Sequence, residues 1–390
     1  MLPPAAILLR AVLLALAAGL AAGFFTAPET AAYGIAAAIF VGLTSLGSVL
    51  QTLTLGVRWF LPERRGGGLA SLAALLYWGL GWLLPIAGLV AAMGGFLSTG
   101  TVDLSLLAIS LASLGLAAYA LLVEPRSLAV RTREVRCRDL PAALVGLRIL
   151  HLSDLHFDRP GKWVERIAAE IAALRPDLIC ITGDLVNDTR HADTPAVRAV
   201  EQLFQQLAAP LGVYCVYGDW DGQGDEHEAI TARWFDRSGV RLLEDEIVSL
   251  SIDGATLHVL GRSPPHRLPV KRNFLAELPR DGFSIVLHHF PFGALRAAEV
   301  GADLYLAGHT HGGQVRLPGI GSLYTGTRGG RDPRGERLPR RFQAGLHRLE
   351  NTWVHISRGL GMRGGDAPRL RFCCRPELTL LVLQAEATAE

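Results

Sequence analysis

The chain has 390 residues, half of them hydrophobic, and a formal net charge of +2 at neutral pH. A charge so near zero gives no indication of nucleic-acid binding, and no nucleic-acid partner is expected. The five cysteines are odd in number and lack C-x-x-C spacing, which argues against a disulfide framework and against a zinc ribbon.

Charged residues are distributed very unevenly along the chain. Residues 1–123 contain only seven charged side chains, with no lysine and no histidine. Four apolar segments in this part are each long enough to cross a hydrocarbon core of about 30 Å as a helix. The sequence therefore predicts an all-α transmembrane anchor of about four helices over residues 1–124, although the first segment could also be a cleaved signal peptide. The segments are Pro3–Phe25, Ala32–Val57, Leu69–Leu97 and Leu104–Val123.

Arginines in the short connections predict the orientation of this anchor. The second connection carries Arg58, Arg64 and Arg65, and five more arginines lie between residues 126 and 138. The first and third connections carry none. Because positive loops stay in the cytoplasm, the part after the fourth segment is expected on the cytoplasmic side of a bacterial inner membrane. Residues 125–144 are predicted to be a basic juxtamembrane linker, which either contacts anionic lipids or only sets the topology.

A soluble α/β domain is predicted over residues 145–390. Apolar, strand-like runs alternate there with amphipathic helical patterns, which predicts parallel strands joined by helical crossovers. Ligands bind beyond the carboxyl ends of such strands. Later apolar runs supply enough strands for two stacked sheets with helices outside. The first alternating segments are 146–152, 163–174, 178–182, 195–207 and 213–217.

Aspartate and histidine residues follow five of the predicted strands. In the first set, Asp154-x-His156, both side chains would face the same way, because an extended chain has a side-chain period of two. Three carboxylates and four imidazoles exceed the needs of one metal ion and fit two, with Asp184 between them. Oxygen and nitrogen ligands suit divalent Mn, Fe or Zn. The other residues of this set are Asp184, Asp219, His289, His309 and His311.

These motifs resemble those of the calcineurin-like metallophosphoesterases in order and spacing, over about residues 145–385. The motifs are S-D-L-H, G-D-x-x-x-D, G-D-W-D, H-H-F-P and G-H-T-H-G-G-Q. The tail, with S-R-G-L-G from Ser357 and P-R-L-R from Pro368, is similar to the membrane-associated bacterial branch of that family.

The resemblance implies a four-layer α/β/β/α sandwich and a ligand set for each of two metal ions. By motif position, His289 is expected to be a ligand in preference to His288, since the family pattern is His-x-Pro. The first metal would be held by Asp154, His156, Asp184 and His311. The second metal would be held by Asp184, Asp219, His289 and His309.

The stretch Gly218-Asp219-Trp220-Asp221 departs from the family pattern, which usually reads Gly-Asn-His-Asp/Glu. Aspartate in place of asparagine adds a negative charge, and Trp220 removes the usual candidate for protonating the leaving group. A nearby histidine, His288 or His227, could replace it. Alternatively, the leaving group is a pyrophosphate or acidic phosphate that needs no acid, or the protein binds metal and hydrolyses poorly. His288 and Asp221 are the predicted catalytic residues.

Arg358 and Arg363 flank a glycine-rich turn and are predicted to bind substrate, because guanidinium groups make bidentate contacts with phosphate. A structural salt bridge is the alternative for both. The sequence predicts a metal-dependent hydrolase of phosphoesters or pyrophosphates, acting at the membrane face on a lipid-linked or nucleotide-lipid substrate. The alternatives are a tethered nucleotide phosphodiesterase and a metal-binding sensor or scaffold.

Overall fold

The structure, a computed structural model, describes most of the chain from residue 104 onward. The first three predicted membrane segments lie outside the described residues. The fourth is helical, with α1 over Leu104–Ala118 followed by a π-helical segment, Tyr119–Val123. Among the described helices, none combines the length and the apolar character needed to cross a membrane. The described ranges are 104–187, 191–221, 226–264, 274–319, 321–322, 338–339, 341–363 and 369–386.

Two six-stranded sheets form the centre of the compact unit that begins at Leu122. The first has the strand order β1-β14-β2-β3-β4-β5 and the second has the order β12-β13-β9-β8-β7-β6, while β10 and β11 form a separate hairpin. In chain order the strands are β1 (Ala129–Cys137), β2 (Arg148–Leu152), β3 (Leu178–Ile181), β4 (Val213–Cys215), β5 (Val240–Leu242), β6 (Glu246–Ile252), β7 (Ala255–Arg262), β8 (Phe283–His288), β9 (Leu304–Ala307), β10 (Arg316–Leu317), β11 (Gly321–Ser322), β12 (Gly345–Leu349), β13 (Thr352–Ile356) and β14 (Glu377–Ala385).

Helices cover the outer faces of the two sheets. One hydrophobic core joins α2 and α3 to the first sheet, a second lies between the sheets, and a third joins α5 to the second sheet. Three cores separate four layers, so the order helix, sheet, sheet, helix agrees with the expected sandwich. The helices are α2 (Lys162–Leu174), α3 (Pro195–Phe204), α4 (His227–Thr231) and α5 (Gly293–Glu299).

The predicted linker, residues 125–144, differs from expectation because it contains the edge strand β1. This strand pairs in parallel with β14 over its whole length, from Ala129 opposite Glu377 to Cys137 opposite Ala385. Val135 is the only fully buried side chain in the strand. An edge strand that is largely exposed shows little hydrophobic pattern, so periodicity does not predict it. The folded α/β unit therefore begins before residue 145.

Several arginines of residues 125–144 form ion pairs with glutamates. Arg131 Nε lies 2.8 Å from the carboxylate of Glu377, which is almost completely buried. Arg136 pairs with Glu134, and Arg138 Nε lies 3.2 Å from Glu386. These ion pairs leave less positive charge available for anionic lipids than the sequence suggests.

Buried polar side chains cross the layer between the two sheets. His151 Nδ1 on β2 lies 2.7 Å from His355 Nδ1 on β13, and His151 Nε2 lies 2.9 Å from Thr182 Oγ1. Burial lowers the pKa of both histidines, and that of His355 falls to about 4. Both rings are therefore neutral at pH 7, and one donates its proton to the other.

Arg371 has no exposed surface and holds the loop after β13. Its Nη2 donates to the carbonyl oxygens of Arg358, Gly359 and Gly361, Nε also donates to Gly361, and Nη1 donates to Cys374. Gly359 must be glycine, because its φ is +71° and a Cβ there would lie 2.6 Å from Asp154 Cβ. Arg371 therefore keeps this loop packed on the first predicted metal ligand.

We expect Arg371→Leu to lower the free energy of unfolding by about 3–5 kcal/mol, because several buried carbonyl groups lose their donor. Arg371→Lys should have a free energy of unfolding between those of Arg371→Leu and the original chain, since an ammonium group cannot reproduce the planar arrangement of guanidinium donors. Denaturant unfolding of the full chain measures both. Arg136→Leu, at an exposed ion pair, should change stability by no more than about 0.5 kcal/mol. Equal stability of the Arg371→Leu and Arg136→Leu variants would contradict the assignment.

Candidate metal centre

The seven predicted metal ligands lie together beyond the carboxyl ends of β2, β3, β4, β8 and β9. They form two groups, and within each group one ligand atom per residue lies within 4.8 Å of the others. Asp184 reaches both groups, because its Oδ2 lies 3.3 Å from His156 Nε2 and 3.3 Å from His289 Nε2. One carboxylate oxygen therefore lies within reach of both groups and could serve a metal ion held by either. The first group is Asp154, His156, Asp184 and His311, and the second is Asp219, His289 and His309.

Left-handed backbone turns, rather than extended strands, bring these ligands together. β2 ends at Leu152, and φ is +49° at Asp154 and +39° at His156. The two side chains converge on one group, but the period-two argument for their common direction was wrong. Asp184, His309 and His311 also have positive φ. Aspartate and histidine tolerate this region better than most residues, yet each such position costs about 1–3 kcal/mol.

Asp221 lies beneath the ligands and holds the Asp184 turn. Its Oδ2 accepts hydrogen bonds from the backbone N–H groups of Asp184 at 2.7 Å and Gly218 at 2.9 Å, and its Oδ1 accepts one from Leu185 at 2.9 Å. Burial and the nearby Asp184 carboxylate raise the pKa of Asp221 to about 7, against the effect of these donors. Because the carboxylate is buried and bonded to backbone, its contacts are those of a residue that positions Asp184. This differs from the predicted catalytic role.

His289 directs one ring nitrogen into the metal centre. Its Nδ1 lies 2.6 Å from the carbonyl oxygen of Thr182, which can only accept, so Nδ1 carries a proton. Its Nε2 lies 3.0 Å from Asp219 Oδ1. Such a carbonyl partner is the usual means of fixing the orientation of a metal-binding histidine.

His288 occupies a different environment, among aromatic rings at the end of β8. Its Nδ1 lies 2.7 Å from the Tyr305 hydroxyl, and the rings of Phe290 and Phe292 lie 5.6 and 5.9 Å away. Val286, two residues earlier, packs in the core of α5, whereas Leu287 packs between the sheets. Alternation along β8 thus directs His288 to the helix-covered face, and burial lowers its pKa well below the ordinary value. The structure gives no support for His288 as the catalytic acid.

Opposite charges compensate one another in the metal centre. Burial alone would raise the pKa of Asp184, but His289 and His156 hold it well below its usual range. Burial would likewise lower the pKa of His289, but Asp184 and Asp219 hold it well above the ordinary value. The neighbouring imidazoles therefore favour the ionised form of Asp184, whereas burial raises the pKa of Asp154.

This donor set fits divalent metal ions. His156 Nε2 and His311 Nε2 lie 3.1 Å apart, and each lies close to a carboxylate oxygen, of Asp184 at 3.3 Å and of Asp154 at 3.2 Å. Nitrogen and oxygen ligands converging on one point in a buried site are typical of transition-metal binding. Bound ions would supply positive charge for a phosphoryl group and lower the pKa of a water molecule.

Of the two predicted substrate-binding arginines, Arg363 faces the metal centre. Its Nη2 lies 3.6 Å from Asp219 Oδ2, and its guanidinium carbon lies 5.5 Å from the centre of the Trp220 ring. Arg358 Nε instead lies 3.6 Å from the Glu377 carboxylate. This contact is the structural salt bridge that the sequence left open as the alternative to substrate binding. His227, at the start of α4, is in neither ligand group.

Sequence reasoning missed two residues that hold the site together. Arg371 belongs to the P-R-L-R motif of the tail, and its burial follows from contacts with distant backbone carbonyl groups. Gln314 closes the G-H-T-H-G-G-Q motif, and its Oε1 accepts a hydrogen bond from the backbone N–H of Arg363 at 2.8 Å. The motif spacing was a usable signal for Gln314, but its partner is distant in sequence.

We expect Asp221→Asn to weaken metal binding by about 10–100-fold, because an amide nitrogen would face backbone donors and displace Asp184. Stability should fall by about 1–3 kcal/mol. Calorimetric titration with Mn²⁺ and denaturant unfolding measure the two effects. Asp139→Asn, at an exposed turn, is the matched control and should change neither. Unchanged metal affinity in Asp221→Asn would contradict the positioning role.

Comparison with known proteins places this site in a family. Residues 147–313 match the family model described as calcineurin-like phosphoesterase. YkuE, a metallophosphoesterase of Bacillus subtilis, is 28% identical over 292 residues, which cover 72% of this chain and 94% of YkuE. LpxG of Chlamydia trachomatis, named a UDP-2,3-diacylglucosamine pyrophosphatase, is 25% identical over 334 residues, covering 73% of this chain and 98% of LpxG.

One vertebrate relative is named as a transmembrane protein. The Danio rerio protein named "transmembrane protein with metallophosphoesterase domain" is 28% identical over 272 residues, covering 64% of this chain and 56% of that protein. The family match runs from the start of β2 to just beyond the last ligand, His311. Residues 147–313 therefore form a calcineurin-like phosphoesterase domain, a class of enzymes that hydrolyse phosphoester bonds.

Proposed function

We propose that this enzyme uses two divalent metal ions, Mn, Fe or Zn, to hydrolyse phosphoesters or pyrophosphates. The observation that supports this most strongly is the position of Asp184 Oδ2, 3.3 Å from a ring nitrogen in each ligand group. The seven residues of the two groups are the proposed ligands. The Thr182 carbonyl orients His289, and Asp221 holds Asp184. Arg363 adds a permanent positive charge on the Asp219 side.

We further propose that the substrate is lipid-linked and that the enzyme acts at the cytoplasmic face of a bacterial inner membrane. Two observations support this proposal. Residues 1–123 contain four long apolar segments with few charges, which would hold the site near lipid. The similarity to LpxG, whose name gives a diacylglucosamine nucleotide as substrate, covers almost all of that protein. A tethered nucleotide phosphodiesterase is the competing proposal, and a substrate comparison separates the two.

We expect the Mn²⁺-loaded full chain to bind two ions, and Asp184→Asn to lose more than about 10²-fold in kcat on an activated aryl phosphodiester. A partner that only orients a ligand is typically worth 10–100-fold, so the shared ligand should matter at least as much. Metal content by elemental analysis accompanies the assay. Asp139→Asn serves again as the control. Full activity of Asp184→Asn would overturn the two-metal mechanism.

The substrate class is tested with the same protein and two substrates. A lipid pyrophosphate in mixed micelles should be hydrolysed with a higher kcat/KM than a cyclic dinucleotide. The reverse order would favour the tethered nucleotide phosphodiesterase. Two bound ions without turnover of either compound or of the aryl diester would favour a metal-dependent sensor or scaffold.

Membrane orientation is tested with reporter fusions. A reporter that is active only in the cytoplasm, fused after Glu390, should be active because of the arginines at 58–65 and 126–138. The same reporter inserted at Glu29, in the first connection, should be inactive. A reporter active only in the periplasm should give the opposite pattern. Periplasmic activity at Glu390 would contradict the proposed orientation.

A further inference from the structure

We infer that Asp219 and Trp220 hold the Arg363 guanidinium against the leaving group. In that position the guanidinium stabilises the leaving group as an oxyanion. These three residues are called the Arg363 cluster below. The enzyme therefore prefers leaving groups of low basicity, above all the phosphate released from a phosphoanhydride. This inference rests on the proposed phosphohydrolase function. It explains how the leaving group can depart although Trp220 stands where the family usually has the histidine that protonates it.

The two oxygens of Asp219 have different partners. Oδ1 lies 3.0 Å from His289 Nε2 and 3.0 Å from His309 Nδ1, within the second ligand group. Oδ2 lies 3.6 Å from Arg363 Nη2. An asparagine has only one oxygen and no negative charge. Aspartate at this position can therefore serve a metal and hold a guanidinium at the same time.

Trp220 supports Arg363 from another side. The distance of 5.5 Å from the guanidinium carbon to the ring centre is within the range of a cation–π contact. The backbone N–H of Trp220 donates to Asp184 Oδ1 at 3.0 Å, and the backbone N–H of Arg363 donates to Gln314 Oε1 at 2.8 Å. Both members of the stack are therefore attached to segments that carry or adjoin metal ligands.

The cluster offers positive charge without an acidic proton. A guanidinium stays protonated in proteins, so Arg363 can donate hydrogen bonds but cannot release its proton to the leaving group. Its side chain is about one-third exposed, so a substrate can reach it. His288, by contrast, is enclosed by aromatic rings.

The reaction balances without a general acid when the leaving group is a weak base. The oxygen of a water molecule bonds to phosphorus, and the bond from phosphorus to the leaving oxygen breaks with its electron pair. The water gives up one proton to solvent. The leaving oxygen departs as an anion beside Arg363, and a phosphate needs no further proton at neutral pH. An alkoxide would need a proton that this cluster does not supply, so simple alkyl esters should react slowly.

Anion binding tests this assignment without turnover. The probes are inorganic phosphate and methylenediphosphonate, an inert phosphoanhydride analogue whose second phosphonate occupies the leaving-group position. In calorimetric titrations of the Mn²⁺-loaded full chain, Arg363→Gln should bind methylenediphosphonate about tenfold or more weakly, with phosphate affinity nearly unchanged. Arg363→Lys should be intermediate. Arg296→Gln, at an exposed ion pair on α5, is the matched control.

Leaving-group dependence gives the second readout. Across aryl phosphodiesters of increasing leaving-group basicity, Arg363→Gln should lose progressively more kcat/KM, reaching about 10²-fold for the most basic member. Trp220→Leu should reproduce part of this effect, and the double variant should be less than additive. Metal content and unfolding midpoint show whether each variant is folded.

Equal losses across the ester series, or equal losses of affinity for both probes, would overturn the inference, because Arg363 would then bind the transferred phosphoryl group. No loss in either measurement would overturn it as well. Failure of the proposed function is distinguishable: the unaltered, metal-loaded chain would then hydrolyse nothing. The comparison of the two probes would still decide whether Arg363 binds the second phosphonate.

Discussion

The left-handed turns that end β2, β3 and β9 are the constraint on which this site depends. Each turn takes the chain out of its sheet and directs a carboxylate or imidazole towards a common point. Such turns are unfavourable for residues with a Cβ, so contacts from elsewhere must stabilise them. Asp221 bonds the backbone at Asp184, and His309 N donates to the Asp154 carboxylate. Arg371 keeps the loop at Gly359 packed on Asp154.

Charge compensation is the second requirement, because several carboxylates lie close together beyond the carboxyl ends of the strands. In the first group, the His156 and His311 imidazoles lie close to the Asp184 and Asp154 carboxylates, and a bound cation would neutralise their negative charge. In the second group, the extra negative charge of Asp219 is balanced by Arg363, which also stacks on Trp220. The two departures from the family pattern are therefore coupled. One supplies the carboxylate oxygen that holds a guanidinium, and the other supplies the ring on which it rests.

Much of the fold and of the candidate ligand set could be predicted because local signals were strong. Apolar runs that end in Asp or His, with helical patterns between them, indicated parallel strands and a site at their carboxyl ends. Three features depended on distant contacts, and local sequence patterns did not indicate them. β1 is a strand because β14 pairs with it, not because of its own pattern. His288 faces an aromatic layer, and Asp221 bonds to backbone rather than to substrate.

By itself, the sequence determined which residues could bind metal, the order of the strands that carry them, and the apolar character of residues 1–123. These follow from residue type and periodicity, which are local properties. Only the tertiary structure decided that Asp221 bonds to the backbone at Asp184 and that Arg363 rather than Arg358 faces the ligand groups. The reason is physical: the direction of a side chain beyond a strand end depends on backbone turns and buried partners contributed by residues far away in the chain.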